Sequence, residues 1–106
     1  MKNREFLDFV LDQLSGLGSV NARAMFGGYG LYEGSVIFGV IHRDTLYLKT
    51  DEITRMDYIL AGMSPFKPND KQTLITYYEI PTEILENSES LVEWAIAAIH
   101  CQRKRS

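Results

Sequence analysis

Apolar residues recur at helical spacing at the start of the chain. Phe6, Val10, Leu14 and Leu17 lie three or four residues apart, a spacing that places them on one side of an α-helix. Two glycines then interrupt the pattern, as glycines do after the last turn of a helix. The sequence therefore predicts a first helix over roughly residues 4–15.

Between Arg23 and Lys49 the pattern changes from helical to strand-like. Apolar and aromatic stretches are separated there by Gly27-Gly28, Glu33-Gly34 and Arg43-Asp44. Dipeptides of this kind favour tight connections between neighbouring strands. This region is therefore predicted to be an antiparallel meander.

A second helical stripe follows Asp51, which is a good N-cap residue. The stripe consists of Ile53, Met56, Leu60 and Met63. Gly62 and Pro65 stop the pattern. We therefore predict a short second helix whose stripe faces the core.

The last third of the chain predicts one strand and two helical segments. The β-branched and aromatic run 74–78 ends near Pro81, which cannot donate to a strand ladder. A short helical turn over residues 82–86 precedes a longer helix capped by Asn87 or Ser88. The apolar face of this last helix consists of Leu91, Trp94, Ala95, Ala98 and Ile99.

The predicted order is α-β-β-β(-β)-α-β-α. Because the strands are grouped and do not alternate with helices, the fold class is α+β, with two layers in which helices cover an antiparallel or mixed sheet. One modest core is expected for a chain of 106 residues. The residues predicted to fill it are Phe6, Val10, Leu14, Phe38, Leu46, Leu48, Leu60, Leu74 and Trp94.

Composition is typical of a soluble globular protein, with 45% hydrophobic and 24% charged residues. No apolar run approaches the ~20 residues that a membrane helix needs, and the N-terminus lacks the features of a signal peptide. Cys101 has no second cysteine to pair with. These features predict a cytoplasmic protein without membrane contact.

The net charge of −3 is unevenly distributed. Arg103, Lys104 and Arg105 contribute +3, so residues 1–102 carry −6. We therefore divide the chain into a domain over 1–102 and a short basic tail over 103–106. Since phosphate neutralisation dominates nucleic-acid affinity, weak or no direct nucleic-acid binding is expected.

The run from Arg23 to Tyr32 is the most distinctive stretch, and it contains the candidate interaction residues Arg23, Met25, Phe26, Gly27, Gly28, Tyr29, Gly30 and Tyr32. It lacks the Gly-Lys-Ser/Thr ending of a phosphate-binding loop, so a structural hairpin is favoured. Arg23 has two interpretations: its guanidinium pairs with a carboxylate or carbonyls of the chain, or it contacts a partner's carboxylate or a phosphate. Tyr29 and Tyr32 fall on opposite strand faces by parity, so one of them is expected to be an exposed contact residue.

The second set of candidates is Tyr77, Tyr78 and Glu79. The two tyrosines face opposite sides of their strand, so one ring should enter the core and the other should cover a helix or meet a partner. Glu79 is a candidate for orienting Arg23 or for capping the following helix.

Catalytic and metal chemistry have no recognisable motif in the sequence. His42 and His100 are far apart and outside the spacings typical of metal sites, and Cys101 has no paired histidine motif. No nucleophile–base pair or carboxylate pair stands out either. We therefore expect no enzymatic activity, no cofactor and no metal.

The motifs, taken in order, resemble a known family. Arg-x-Met-Phe-Gly-Gly-x-Gly-Leu-Tyr at 23–32 is followed by Phe-Gly-Val-Ile at 38–41, Leu-Tyr-Leu-Lys at 46–49 and Tyr-Tyr-Glu-Ile-Pro at 77–81, then by Leu91 and Trp94. This series is similar to the TfoX N-terminal domain family, the front half of the TfoX/Sxy regulators of bacterial competence. The resemblance implies a two-layer fold similar to secretion-chaperone-like domains.

Two function classes follow from this resemblance. The first is a regulatory domain in the transcriptional control of DNA uptake (DNA transformation), acting through a protein partner such as the transcription machinery. Family members are described as working with the cyclic-AMP receptor protein and carry a second, C-terminal domain. The second class is a general protein-interaction or small-ligand-binding module unrelated to competence, for which a homodimer is one arrangement.

Overall fold

The predicted meander forms more than half of a six-stranded antiparallel sheet. The structure, a computed structural model, describes residues 2–25 and 27–104, without the side chains of Lys2 and Asn3. The strands are β1 (Asn21–Met25), β2 (Gly28–Glu33), β3 (Val36–His42), β4 (Thr45–Lys49), β5 (Pro65–Asn69) and β6 (Gln72–Glu79), in the sheet order β1-β2-β3-β4-β6-β5. The helices are α1 (Lys2–Gln13), α2 (Arg55–Leu60), α3 (Thr82–Leu85) and α4 (Ser88–Lys104). The predicted α+β class is confirmed.

The main core lies between the helices and one face of the sheet. Its fully buried side chains include Val10 and Leu14 from α1, Leu91 and Ala95 from α4, and Leu31, Phe38, Ile41, Leu46 and Leu48 from the strands. Each large aliphatic or aromatic side chain buried in this way stabilises the fold by about 1.5–3 kcal/mol. No helix in the described range is long and apolar enough to cross a bilayer.

The opposite face of the sheet carries a second, smaller cluster. Val40, Phe66 and Tyr77 are buried there, with Tyr47 and Leu74 packed against them. All five residues come from strands. We call this side the open sheet face, because its cluster contains no helical residue.

The orientation of α2 differs from the prediction. Leu60, predicted to be core, is 80% exposed, and Ile53 is 79% exposed. The buried residue of the helix is Tyr58, whose ring lies 4.8 Å from that of Trp94 and 6.1 Å from that of Tyr78. An aromatic ring that fits between two others outweighs a stripe of aliphatic residues, because it buries more apolar area in one place.

Three further residues of the predicted core are only half-buried. Phe6, Leu74 and Trp94 lie at the margins of the two clusters and pack against them. The other five, Val10, Leu14, Phe38, Leu46 and Leu48, are buried as predicted.

Strand β5 was not predicted, because Pro65 was interpreted as the end of a helix. Pro65 and Pro68 both lie within this strand, which is possible because β5 is at the edge of the sheet and pairs only with β6. The pairing with β6 is irregular at two places. The other edge strand, β1, has no proline and pairs with β2 without a register shift.

The predicted turns and the predicted cap of α4 occur where the sequence indicated, whereas the N-cap residue of α2 is Thr54 and not Asp51. Arg43 and Asp44 form the β3–β4 turn with φ of 52° and 58°, the left-handed conformation of a two-residue hairpin connection. Asn87 caps α4, since its Oδ1 accepts a hydrogen bond of 3.0 Å from the backbone N–H of Ser90. Between these elements, the predicted helical turn after Pro81 is α3.

Asp51 joins the end of α4 to the turn that leads into α2. Its Oδ1 accepts hydrogen bonds from the backbone N–H groups of Ile53 (3.0 Å) and Thr54 (2.8 Å). Its Oδ2 accepts one from Lys104 Nζ at 3.1 Å. The bond from the Thr54 backbone, followed by that from Lys104, holds the pKa of the Asp51 carboxyl well below its usual range.

We predict that Gly28→Ala destabilises the domain. Gly28 is buried, and a Cβ there would overlap the carbonyl oxygen of Ile41 on β3. Overpacking of this kind costs about 1–3 kcal/mol, which urea unfolding of the variant measures. Gly16→Ala is the control, because a Cβ at Gly16 meets only side-chain atoms of Val92 at 3.3 Å or more. Equal stability of the two variants would contradict this account.

We also predict an acid-dependent loss of stability at Asp51. A carboxyl whose pKa is lowered by folding stabilises the native state above the unfolded-state value, here 3.8, and loses this contribution as the pH falls below that value. Asp51→Asn keeps an acceptor oxygen but removes the charge. The difference in urea midpoint between the native protein and Asp51→Asn should therefore be largest near pH 5 and shrink towards pH 2. Asp12→Asn, on the exposed side of α1, is the control, and a gap at Asp51 that does not change with pH would refute the assignment.

Candidate functional site

The distinctive 23–32 run forms the β1–β2 hairpin at the edge of the sheet. Gly27 occupies the turn with φ of +75°, a conformation that favours glycine. Arg23 is directly opposite Gly30, and Met25 is opposite Gly28. Phe26 lies outside the described residues, so the structure gives no account of this candidate.

Arg23 is exposed on the edge strand. Its guanidinium carbon lies 4.6 Å from the centroid of the Tyr32 ring, within the range of a cation–π interaction. Within the described part of the chain it forms no ion pair. The contact with Tyr32 therefore orients the guanidinium while its N–H donors are left without a carboxylate from these residues.

Gly30 lets the neighbouring side chains close over the strand. A Cβ at this position would overlap the sulfur of Met25 and would lie 3.2 Å from Cε1 of Tyr32. Because Gly30 has no side chain, Met25 and Tyr32 come together beside Arg23. The glycines of the motif thus have separate functions: Gly27 makes the turn, Gly28 admits the Ile41 carbonyl, and Gly30 makes room for side chains.

The two tyrosines of the hairpin lie on opposite faces, as parity predicted. Tyr29 is opposite Ala24 and Ile41 and packs against the main core. Tyr32 lies under Arg23 on the other side. Both rings are half-buried, so neither is the fully exposed contact residue that the sequence suggested for one of them.

Tyr77 and Tyr78 are also divided between the two faces. Tyr78 packs against the main core beside Tyr58, whereas Tyr77 is buried in the cluster of the open sheet face. Burial raises the pKa of Tyr77 to about 12, with the Tyr32 phenol as a smaller second cause. Tyr77 and Tyr32 therefore lie on the same face, close enough to interact electrostatically.

A second cation lies at the far side of this face. Lys49 is buried, its Nζ donates to Thr76 Oγ1 at 3.1 Å, and it lies 5.3 Å from the centroid of the Tyr77 ring. The structure thus arranges Arg23, Tyr32, Tyr77 and Lys49 across the open sheet face, although the chain separates them by up to 54 positions. Arg23 is the exposed cation of this arrangement, since Lys49 and Tyr77 are buried, and none of the four side chains is placed as a nucleophile beside a base.

Glu79 lies on the same face as Arg23 but four strands away from it. It is opposite Tyr47, and its charge is the second cause, after burial, of a raised pKa at Tyr47. Three strands separate β6 from β1, so Glu79 and Arg23 are about 19 Å apart at the usual strand spacing. Glu79 does not orient Arg23. It does not cap α3 either, since the N-cap residue of this helix is Pro81 and no side chain caps it.

The histidines and the cysteine lie in separate surroundings. His42 packs edge-on against Phe66 with the ring centroids 5.3 Å apart, and burial, followed by the charge of Arg43, lowers its pKa. Cys101 is buried with its Sγ 3.6 Å from Thr54 Oγ1. Among the described residues, no three His, Cys, Asp or Glu side chains are grouped so as to hold a metal ion.

One surface was missed by the sequence reasoning. The exposed apolar side chains Ile53, Met56, Ile59 and Leu60 in and just before α2, with Ile75 of β6, form what we call the α2 patch. Ile53 and Ile75 line one open groove of about 450 Å³ beside α2. The signal that could have revealed the patch is Tyr58, which lies on the opposite side of the helical wheel from Ile53, Met56 and Leu60.

Two of the basic residues at the end of the chain form ion pairs within the domain. Arg103 and Lys104 are the last residues of α4, where Arg103 donates to Glu33 and Lys104 to Asp51. Arg105 and Ser106 lie outside the described residues.

Comparison with known protein families gives a match over most of the chain. Residues 12–102 match the TfoX N-terminal domain. This span contains all six strands of the described sheet. A comparison with curated proteins gives no match. The chain belongs to the TfoX N-terminal domain family.

Proposed function

We propose that this protein is a non-enzymatic regulatory domain that acts through a protein partner in transcriptional control, as expected of a relative of the competence regulators. The observation that carries the proposal is the state of Arg23. Its guanidinium is exposed on an edge strand, oriented by Tyr32, and forms no ion pair with the described residues. An oriented guanidinium of this kind is suited to a carboxylate on a partner.

The surroundings of Arg23 support a protein as the partner. Strand β1 is at the edge of the sheet and follows β2 in regular pairing, so its outer side offers backbone groups to an added strand. Small-ligand binding has less support. The two larger cavities, of about 450 and 410 Å³, are open surface grooves, and the more enclosed cleft between α2 and α4 has a volume of only about 80 Å³, whereas a ligand pocket buries most of its ligand.

We predict that Arg23→Ala lowers stability only slightly but removes partner binding. The contact of this exposed side chain with the Tyr32 ring contributes at most about 1 kcal/mol to folding. Urea unfolding measures this effect, and capture from a bacterial lysate by the immobilised variant measures binding. The matched control is Lys67→Ala, an exposed cation on the opposite edge strand β5, which should retain the captured protein.

The opposite result for Arg23→Ala would contradict the proposal. A loss of stability above about 1 kcal/mol with an unchanged set of captured proteins would assign Arg23 a structural role and remove the support for this proposal.

We further predict that the domain binds duplex DNA weakly and with a shallow dependence on salt. The body of the chain is acidic, and Arg103 and Lys104 already pair with carboxylates, so few phosphates can be neutralised at once. Titration of labelled duplex at low and moderate salt tests this expectation. Submicromolar binding that persists in an Arg103→Gln/Lys104→Gln variant would contradict partner-mediated action.

A further inference from the structure

The β1–β2 hairpin carries an unbalanced charge. Its two strands contain only two charged residues, Arg23 and Glu33, and Glu33 forms an ion pair with Arg103 of α4. Arg23, in contrast, forms no ion pair within the described part of the chain. The sheet edge at β1 therefore presents one cation that no carboxylate of these residues neutralises.

The other side chains of β1 are uncharged. Asn21 and Met25 lie on the same face as Arg23, because residues two positions apart share a face. Ala22 and Ala24 lie on the opposite face. The exposed members of the strand are Asn21, Arg23 and Ala24. Arg23 is thus the only long exposed side chain on β1, and the outer backbone groups of an edge strand are a template for a further strand.

A second copy of this chain is a poor occupant of this edge. When two copies of β1 pair antiparallel about a two-fold axis, a register centred on Arg23 places the two guanidinium groups directly opposite each other. A register centred on Ala22 or Ala24 makes them diagonal neighbours. Both arrangements bring like charges together on one face of the sheet, which is destabilising.

A strand added to β1 would remove water from one side of Arg23. The guanidinium carbon lies 4.6 Å from the centroid of the Tyr32 ring, but a ring does not accept N–H hydrogen bonds as a carboxylate does. A carboxylate opposite Arg23 would replace the lost water with a charge-assisted hydrogen bond. A neutral or basic residue there would leave the cation unpaired and less solvated.

We propose that the β1 edge binds an extended acidic segment of a partner protein as a seventh strand of the sheet. An Asp or Glu of this segment lies opposite Arg23 on the open sheet face, and an apolar residue two positions away covers Met25. Backbone hydrogen bonds supply affinity for strands in general, and the carboxylate selects among them. The inference rests on the proposed function, since it specifies the form and the charge of the partner segment at Arg23.

The probe is a capped heptapeptide of alternating Thr and Val in which Glu replaces the central Val, compared with the same peptide carrying Lys there. Its pattern reads the same in both directions, so it serves for parallel and antiparallel pairing. Fluorescence anisotropy of the labelled peptides measures binding to the full chain, and amide hydrogen exchange by NMR locates it. The Glu peptide should bind at least about tenfold more tightly than the Lys peptide, and it should slow exchange at alternate amides of β1.

Charge variants separate the carboxylate contact from strand addition. Arg23→Gln should weaken binding of the Glu peptide about tenfold. Arg23→Glu should reverse the preference, so that the Lys peptide binds more tightly, a result that an unfolded variant would not give. Lys67→Gln removes an exposed cation from the opposite edge strand β5. It is the matched control and should bind both peptides as the native protein does.

Four results would overturn the inference. The first three are equal affinity for the two peptides or no binding of the Glu peptide up to about 1 mM, unchanged affinity in Arg23→Gln, and binding without protection of the β1 amides. The fourth is a dimer in sedimentation whose β1 amides are protected without peptide, which would assign the edge to a second copy.

The lysate experiment distinguishes this inference from the proposed function. If the peptides fail but capture from a lysate still depends on Arg23, the proposed function stands and only the extended acidic strand is excluded. If capture also persists in Arg23→Ala, the support for the proposed function is lost as well.

Discussion

The packing of α4 against the sheet is the contact on which the rest of the structure depends. Leu91, Ala95 and Ala98 of this helix are fully buried in the main core. Two of these residues are alanines, which let the helix axis approach the strands closely. The same helix supplies Trp94 to the inner side of α2, and its last turn pairs with Glu33 and Asp51. One helix thus covers the sheet face, contacts the inner side of α2 through Trp94 and pairs with the last residue of β2.

Since α4 and α1 cover only one face, the other face has to be stabilised by the strands themselves. Phe66, Val40 and Tyr77 do so by forming a small cluster among strands β3, β5 and β6. This arrangement leaves room beside the cluster for Arg23 and Tyr32. The uncovered open sheet face and the stability of the main core therefore have the same origin, namely a two-layer fold with a single layer of helices.

The sequence predicted those parts of the fold that depend on local chemistry. Glycine and Arg43-Asp44 turns define the meander, and parity alone separated Tyr29 from Tyr32 and Tyr77 from Tyr78. The orientation of α2 could not be derived in this way, because both the aliphatic stripe and Tyr58 are compatible with a helix and only the rings of Trp94 and Tyr78 decide between them. Strand β5 could not be predicted from local signals, because Pro65 and Pro68 argue against a strand. A strand tolerates these prolines only at the edge of a sheet, and the position of β5 at the edge is decided by the topology of the whole sheet. The contact of Arg23 with Tyr32 depends on the register of the β1–β2 hairpin, and the position of Lys49 beside Tyr77 depends on the pairing of β4 with the distant strand β6.

The two sheet edges differ in a way that limits how copies of this fold can assemble. Prolines remove two amide donors from β5, and its irregular register presents a poor template for a further strand. Only β1 retains a regular outer ladder. A protein with one receptive edge and one blunted edge cannot polymerise by strand addition, since a pair joined through β1 has no receptive edge left. The proline-bearing strand therefore opposes fibre growth by strand addition between folded domains, while β1 remains the regular edge of the described sheet.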